Sequence, residues 1–141
     1  MRHERELAEV LWEKGWAVVR GPASGAGVRK RFQPDLIAAK SGIIAAFEVK
    51  RVSDASKPLY IERSQVEGLL EWARRAGGRA FIAVRIPGEG WRFHSTEDLE
   101  PTPGGRFKIA NPSSGLRLSQ LLEILSRTSI PLDRFMPRRE S

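Results

Sequence analysis

Three charged residues punctuate an otherwise apolar stretch, Pro34 to Arg51, with the sequence PDLIAAKSGIIAAFEVKR. Asp35 stands near its start, Glu48 and Lys50 near its end. Two apolar runs flank Ser41-Gly42, and that pattern predicts a β-hairpin with a two-residue turn. Such a turn pairs Lys40 with Ile43. The same register carried outward sets Asp35 directly opposite Glu48. Opposed residues share one sheet face, with Cβ atoms about 4.5–5.5 Å apart. Side chains alternate along a strand, so Lys50 joins Glu48 on that face. The hairpin therefore gathers two carboxylates and an ammonium at one end. Opposed like charges destabilise a sheet unless something compensates. A divalent cation does so, because carboxylate oxygens suit Mg²⁺ or Mn²⁺. A slip of one residue in register would put Asp35 and Glu48 on opposite faces.

A third carboxylate comes from the first predicted helix, residues 3–14, which carries Leu7, Val10 and Leu11 on one side and is ended by Gly15. Glu4 precedes Leu7 by three residues and Leu11 by seven, which places it in line with the buried stripe. A carboxylate there needs a partner or a wet pocket. The bland alternative is an acid in the first turn, favoured by the helix dipole. Arg5, one step round the helix, faces solvent or phosphate.

The remaining elements build the frame. Trp16 to Arg20 predicts a short strand. Gly21 to Gln33 reads as a loop with Arg29, Lys30 and Arg31 in its second half, and no acidic residue occurs between Gly15 and Pro34. A structureless loop of that length is uncommon in a small domain unless it is functional. A basic arm on a phosphate backbone is the functional reading. It is not a phosphate-binding P-loop, because GxxxxGK[ST] is absent. Val52 to Pro58 reads as loop. Ser64 to Ala76 predicts the clearest helix, with Ser64 and Glu67 as a capping box, Val66, Leu69, Leu70 and Ala73 as its apolar stripe, and Gly77-Gly78 as its stop. Gln65 opens that helix within reach of the hairpin's charged end. Trp72 lies off the stripe, as an edge-of-core residue or as an anchor at a subunit interface. Arg79 to Ile86 predicts a central strand, Trp91 to His94 and Arg106 to Ala110 further strands, and Leu118 to Leu125 a closing amphipathic helix. Residues 128–141 form a basic, proline-containing tail. The order of elements predicts an α/β fold with a mixed sheet flanked by helices, as one domain over 1–127.

Composition narrows the chemistry. The chain has 141 residues and no cysteine, which excludes disulfides, thiolate zinc sites and iron–sulfur clusters. No apolar run approaches the roughly 20 residues of a membrane span, and the acidic N-terminus does not read as a signal peptide, so a cytoplasmic, nucleoid-associated location is expected. Basic residues outnumber acidic ones 24 to 17, a formal charge of +7 that favours an anionic partner such as nucleic acid. A zinc site at either histidine is not expected, since His3 and His94 are far apart in sequence and no cysteine is available.

Glu4, Pro34-Asp35 and Glu48-Val49-Lys50 match the PD-(D/E)xK nuclease signature with its upstream helical acid. The surrounding text, including Glu4-Arg5-Glu6-Leu7, Val18-Val19-Arg20, Ser24-Gly25, Phe47-Glu48-Val49-Lys50, Ala73-Arg74-Arg75 and Gly90-Trp91-Arg92-Phe93, resembles the archaeal-type Holliday junction resolvases over residues 4–125. The resemblance implies a restriction-endonuclease-like fold and a homodimeric, Mg²⁺-dependent endonuclease of DNA recombination and repair. Such an enzyme cuts four-way junctions with two symmetric nicks. It implies that Asp35 and Glu48 hold the metal, that Glu4 completes the acidic site, and that Lys50 orients the attacking water or stabilises the pentavalent phosphate. Arg5, Arg20 and the loop with Ser24, Arg29, Lys30 and Arg31 would contact DNA, and Trp72 would lie at the dimer interface. Two other readings stand beside it. One is a PD-(D/E)xK repair or nicking endonuclease with a different DNA substrate. The other is a catalytically silent structural DNA-binding paralogue, against which the complete set of Glu4, Asp35, Glu48 and Lys50 argues.

Overall fold

The computed structural model describes residues 2–21 and 32–127. The central element is a five-stranded sheet. Its strands are β1 (Ala17–Arg20), β2 (Leu36–Lys40), β3 (Ile43–Arg51), β5 (Arg79–Ile86) and β6 (Gly90–Ser95), in the spatial order β1-β2-β3-β5-β6. Neighbours are antiparallel except β3 and β5, which run parallel. A parallel pair needs a crossover, and helix α2 (Arg63–Ala76) supplies it. The continuous apolar centre of β5 fits its place between β3 and β6, where both faces are covered.

The sheet separates two cores. On one face, Leu36, Phe47, Phe81 and Phe93 pack with Leu7 and Leu11 of α1 (Arg2–Glu13) and Leu121 and Leu125 of α3 (Leu118–Arg127). Phe47 holds this core together, with its ring 5.9 Å from Phe81 and 5.8 Å from Phe93. On the other face, Ala46, Ile82 and Val84 pack with Val66, Leu69 and Ala73 of α2. Alternation along β3 therefore sends Phe47 to the first core and Ala46 to the second, with Glu48 and Lys50 on the same side as Ala46.

A second, three-stranded sheet lies beyond α2. Strand β4 (Leu59–Glu62) pairs with β8 (Arg106–Ile109), which also pairs with β7 (Glu100–Pro101). The sequence predicts β8 but neither β4 nor β7, and β8 joins this small sheet rather than the central one. Two details of α2 also differ from expectation. The helix begins at Arg63, with Glu62 as N-cap and no side-chain cap, so Ser64 sits inside the first turn and the capping box does not form. Strand β4 leads straight into the helix, and Glu67 instead pairs with Arg63 at 3.1 Å. Leu70, expected in the buried stripe, is 42% exposed. The C-terminus behaves as read. Gly77 adopts the left-handed conformation and its N–H, with that of Gly78, satisfies the last carbonyls. The loop residues 22–31 and the tail from 128 lie outside the described residues.

Candidate active site

The hairpin fixes the site. Ser41 and Gly42 both have positive φ, as a type I′ two-residue turn requires, and Gly42 makes that conformation inexpensive. The register runs from Lys40↔Ile43 to Leu36↔Phe47, as the turn predicts. One step further out, regular pairing ends and Asp35 turns its carboxylate across to β3. Asp35 Oδ2 accepts a hydrogen bond from the Val49 backbone N–H at 2.8 Å. The Asp35 and Glu48 carboxyl groups are neighbours, and each perturbs the other.

Glu48 is the buried member of the pair, at 5% exposure. Burial, and then the Asp35 carboxylate beside it, push its pKa from 4.5 up to about 8. Burial also raises Asp35, opposed by the Val49 N–H that favours its charged form. Two neighbouring carboxylates disfavour each other's charged form. Glu4 approaches from the first turn of α1, and its charge raises both pKa values further. Lys50 lies 3.9 Å from Glu48 Oε2, and its charge lowers both. The ammonium is oriented from the opposite side by Gln65 of α2, whose Oε1 accepts from Lys50 Nζ at 2.8 Å.

The structure thus brings Glu4, Asp35, Glu48 and Lys50 into one electrostatically coupled cluster at a single rim of the sheet. Arg5 and Arg20 are both exposed, and Arg20 pairs with Leu36, next to Asp35. Ser24, Arg29, Lys30 and Arg31 lie outside the described residues. Trp72 is half-buried and packs against the second core. His94 is buried away from the cluster and donates from Nε2 to the Pro112 carbonyl at 2.9 Å.

Among the described residues, no three acidic or histidine side chains converge into a closed metal cage. The chain instead offers an open pair, Asp35 and Glu48. Mg²⁺ suits such a site, because it keeps several waters and binds proteins through one or two carboxylates.

Comparison with known proteins identifies the family. Residues 1–130 match the model of the archaeal Holliday junction resolvase family. The chain belongs to that family. The crossover junction endodeoxyribonuclease Hjc of Sulfurisphaera tokodaii is 40% identical over 136 residues, covering 94% of this chain and 92% of that protein. The corresponding enzyme of Sulfolobus acidocaldarius is 36% identical over 136 residues, covering 94% of this chain and 93% of its own length. The crystal structure of Archaeoglobus fulgidus Hjc, a Holliday junction resolvase, superposes with a TM-score of 0.72 at 31% identity, covering 86% of this chain and 93% of that one. The restriction-endonuclease-like fold and the crossover-junction endonuclease expected from sequence are both borne out. Membership of this nuclease family carries with it dependence on a divalent metal and junction DNA as substrate. No helix among the described residues is long and apolar enough to cross a membrane.

Two contacts near the site were not read from the sequence. The Val49 N–H that holds Asp35 is a backbone group. Phe32 and Gly68, which meet beside the Pro34-Asp35 step, look ordinary until the fold brings them together.

Proposed function

We propose that this chain is an intracellular homodimeric endonuclease that resolves four-way DNA junctions by paired symmetric nicks, with Mg²⁺ as the working ion and Mn²⁺ as its substitute. Asp35 and Glu48 hold the metal and Glu4 completes the acidic site. When bound, the ion neutralises phosphoryl charge and lowers the pKa of a coordinated water. Lys50 supplies a positive charge beside the reacting phosphate, and Gln65 keeps it aimed there. Arg5 and Arg20, with Ser24, Arg29, Lys30 and Arg31 of the loop, bind phosphates and so position the junction without reading bases. Trp72 contributes to the subunit contact. A junction is roughly two-fold symmetric, so a C2 dimer with two such clusters accounts for two cuts.

The observation that carries this reading is the contact between the Asp35 and Glu48 carboxyl groups with Lys50 beside them. A passive DNA-binding surface gains nothing from a buried pair of acids that would repel phosphate. The test is cleavage of a labelled four-way junction in Mg²⁺, alongside flap, mismatch and linear duplex substrates. Asp35→Asn abolishes cleavage while junction binding survives. Wild-type cutting by that variant would remove Asp35 from the site, and equal cutting of all four substrates would remove junction selectivity.

A further inference from the structure

Helix α2 carries a glycine in its middle, and no conformational demand explains it. Gly68 lies in regular helix without positive φ, where glycine is less favourable than alanine. Space explains it. A Cβ at Gly68 would stand 2.5 Å from Cγ, 2.6 Å from Cδ1 and 2.8 Å from Cβ of Phe32. The Phe32 ring therefore seats in a notch that only glycine leaves open on α2, and there it packs against the second core.

Phe32 stands three residues before Asp35. The same short segment is clasped on its other side by Gly21, whose N–H donates to the Asp35 carbonyl at 2.9 Å. A Cβ on Gly21 would fall 2.2 Å from the Pro34 carbonyl oxygen, a backbone atom with no side-chain freedom to yield. Hairpin pairing reaches only Leu36. The Gly21 bond continues the β1–β2 register one step past Arg20↔Leu36, so the backbone that aims the Asp35 carboxylate is set by that rung, by these two close approaches and by the Val49 N–H, and not by the β2–β3 pairing. On α2, Gln65 and Gly68 are one turn apart and share a face. One face of one helix therefore braces Lys50 through Gln65 and the Asp35 segment through Gly68.

We infer that Phe32, seated in the Gly68 notch, is a positioning residue for Asp35, and that α2 sets the geometry of the catalytic carboxylate through it. The inference rests on the nuclease reading above and adds to it a packing contact on which the rate depends. Displacing the ring shifts the Asp35 segment while leaving every charged group of the cluster in the chain.

The test is a double-mutant cycle in the full-length protein, with Gly68→Ala, Phe32→Gly and the pair. Single-turnover cleavage of a four-way junction, the Mg²⁺ concentration for half-maximal rate, and junction affinity in Ca²⁺ are measured for each. Gly68→Ala adds one methyl and favours the helix, so its melting temperature controls for folding. The expected result is a cleavage rate reduced at least ten-fold and a raised Mg²⁺ requirement, with junction affinity unchanged. Phe32→Gly removes all three atoms the methyl would meet, so Gly68→Ala has no further effect in that background. Wild-type cleavage by Gly68→Ala overturns the inference, as does the same loss with and without Phe32. A fall in rate with no change in Mg²⁺ requirement also overturns it, since Asp35 would then not be the group displaced. If the nuclease reading were itself at fault, the wild-type protein would fail to cut the junction, a result distinct from all of these.

Discussion

Neutralising Glu48 should inactivate the enzyme and yet stabilise the metal-free protein. Its carboxyl is 5% exposed and faces Asp35, with its pKa at about 8 rather than 4.5. A carboxyl whose pKa is higher folded than unfolded binds its proton more tightly in the folded state. Its contribution to stability is therefore complete below pH 4.5, is lost as pH rises towards 8, and changes no further above that. At 1.36 kcal/mol per pH unit the whole interval is worth roughly 4–5 kcal/mol as an upper bound. Part of that is already lost at pH 5, and part is not yet lost at pH 8. The loss between those two values is about 2–4 kcal/mol. Glu48→Gln keeps the shape and removes the titration. In a chelator-treated sample, wild type should lose stability between pH 5 and 8 while the variant holds it. The gap should open to on the order of 10 °C in melting temperature.

The assay is thermal unfolding at half-unit pH steps, with and without Mg²⁺. Adding the metal should raise the wild-type curve most at the alkaline end, where the unprotonated pair is most repulsive, and should leave Glu48→Gln nearly unmoved. Cleavage by Glu48→Gln should be lost at every pH. Parallel pH–stability curves for the two proteins would show that Glu48 is not strained by burial and by Asp35, and the electrostatic account of the site would fall with it.

Three further outcomes follow from named contacts. Gln65→Ala removes the 2.8 Å partner of Lys50 and should slow single-turnover cleavage by about ten-fold with junction affinity unchanged, as expected for a misaimed catalytic group. Arg20→Ala should weaken junction binding evenly across sequences and reduce the slope of log affinity against log salt by about one, the signature of a lost phosphate contact. Gly115→Ala would place a methyl 2.6 Å from His94 Nε2, where that atom donates to the Pro112 carbonyl. It should destabilise the protein by about 1–3 kcal/mol in chemical denaturation while leaving the metal requirement of cleavage unchanged.

The hairpin was legible because two periodicities and a turn agree. Apolar runs of strand length, a Ser-Gly step and three charges at the rim admit one register, and that register forms from Lys40↔Ile43 to Leu36↔Phe47, one step short of the expected Asp35–Glu48 pair. Helix α2 was legible for the same reason, through its stripe and its Gly77 stop. Its start was not. Ser64 and Glu67 have the spacing of a capping box, but β4 delivers the chain to the helix one residue earlier, so the motif lies inside the first turn. Strand β4 itself is four residues long, and its partner β8 lies more than forty residues away. Neither length nor alternation separates such a segment from loop, and only the long-range pairing makes it a strand. Leu70 has the spacing of a core residue, but the surface that α2 buries is narrower than its apolar stripe. The acids of the site were readable from type and spacing. Their backbone surroundings were not, because the Val49 N–H is common to every residue type and the contact of Gly68 with Phe32 depends on a long-range packing that spacing does not reveal.

Support for the site is divided unevenly among the elements. Asp35 is tied to β3 by the Val49 N–H, one step beyond the last hairpin pair Leu36↔Phe47, so its carboxylate sits beside Glu48 at the end of the paired strands. Glu4 rides on α1, which packs on the opposite face through Leu7 and Leu11. A further tie runs from Glu6 to Arg85 of β5 at 3.1 Å. That ion pair is partly exposed, and such pairs are worth about 1 kcal/mol or less. The two carboxylates proposed to hold the metal thus come from the sheet, while the third comes from a helix packed on its other face. Catalytic constellations need their closest groups on the stiffest elements, because errors of about 1 Å there cost the most rate. On the proposed roles, Asp35 and Glu48 share one sheet where they must act together, and Glu4 reaches them from a separate element.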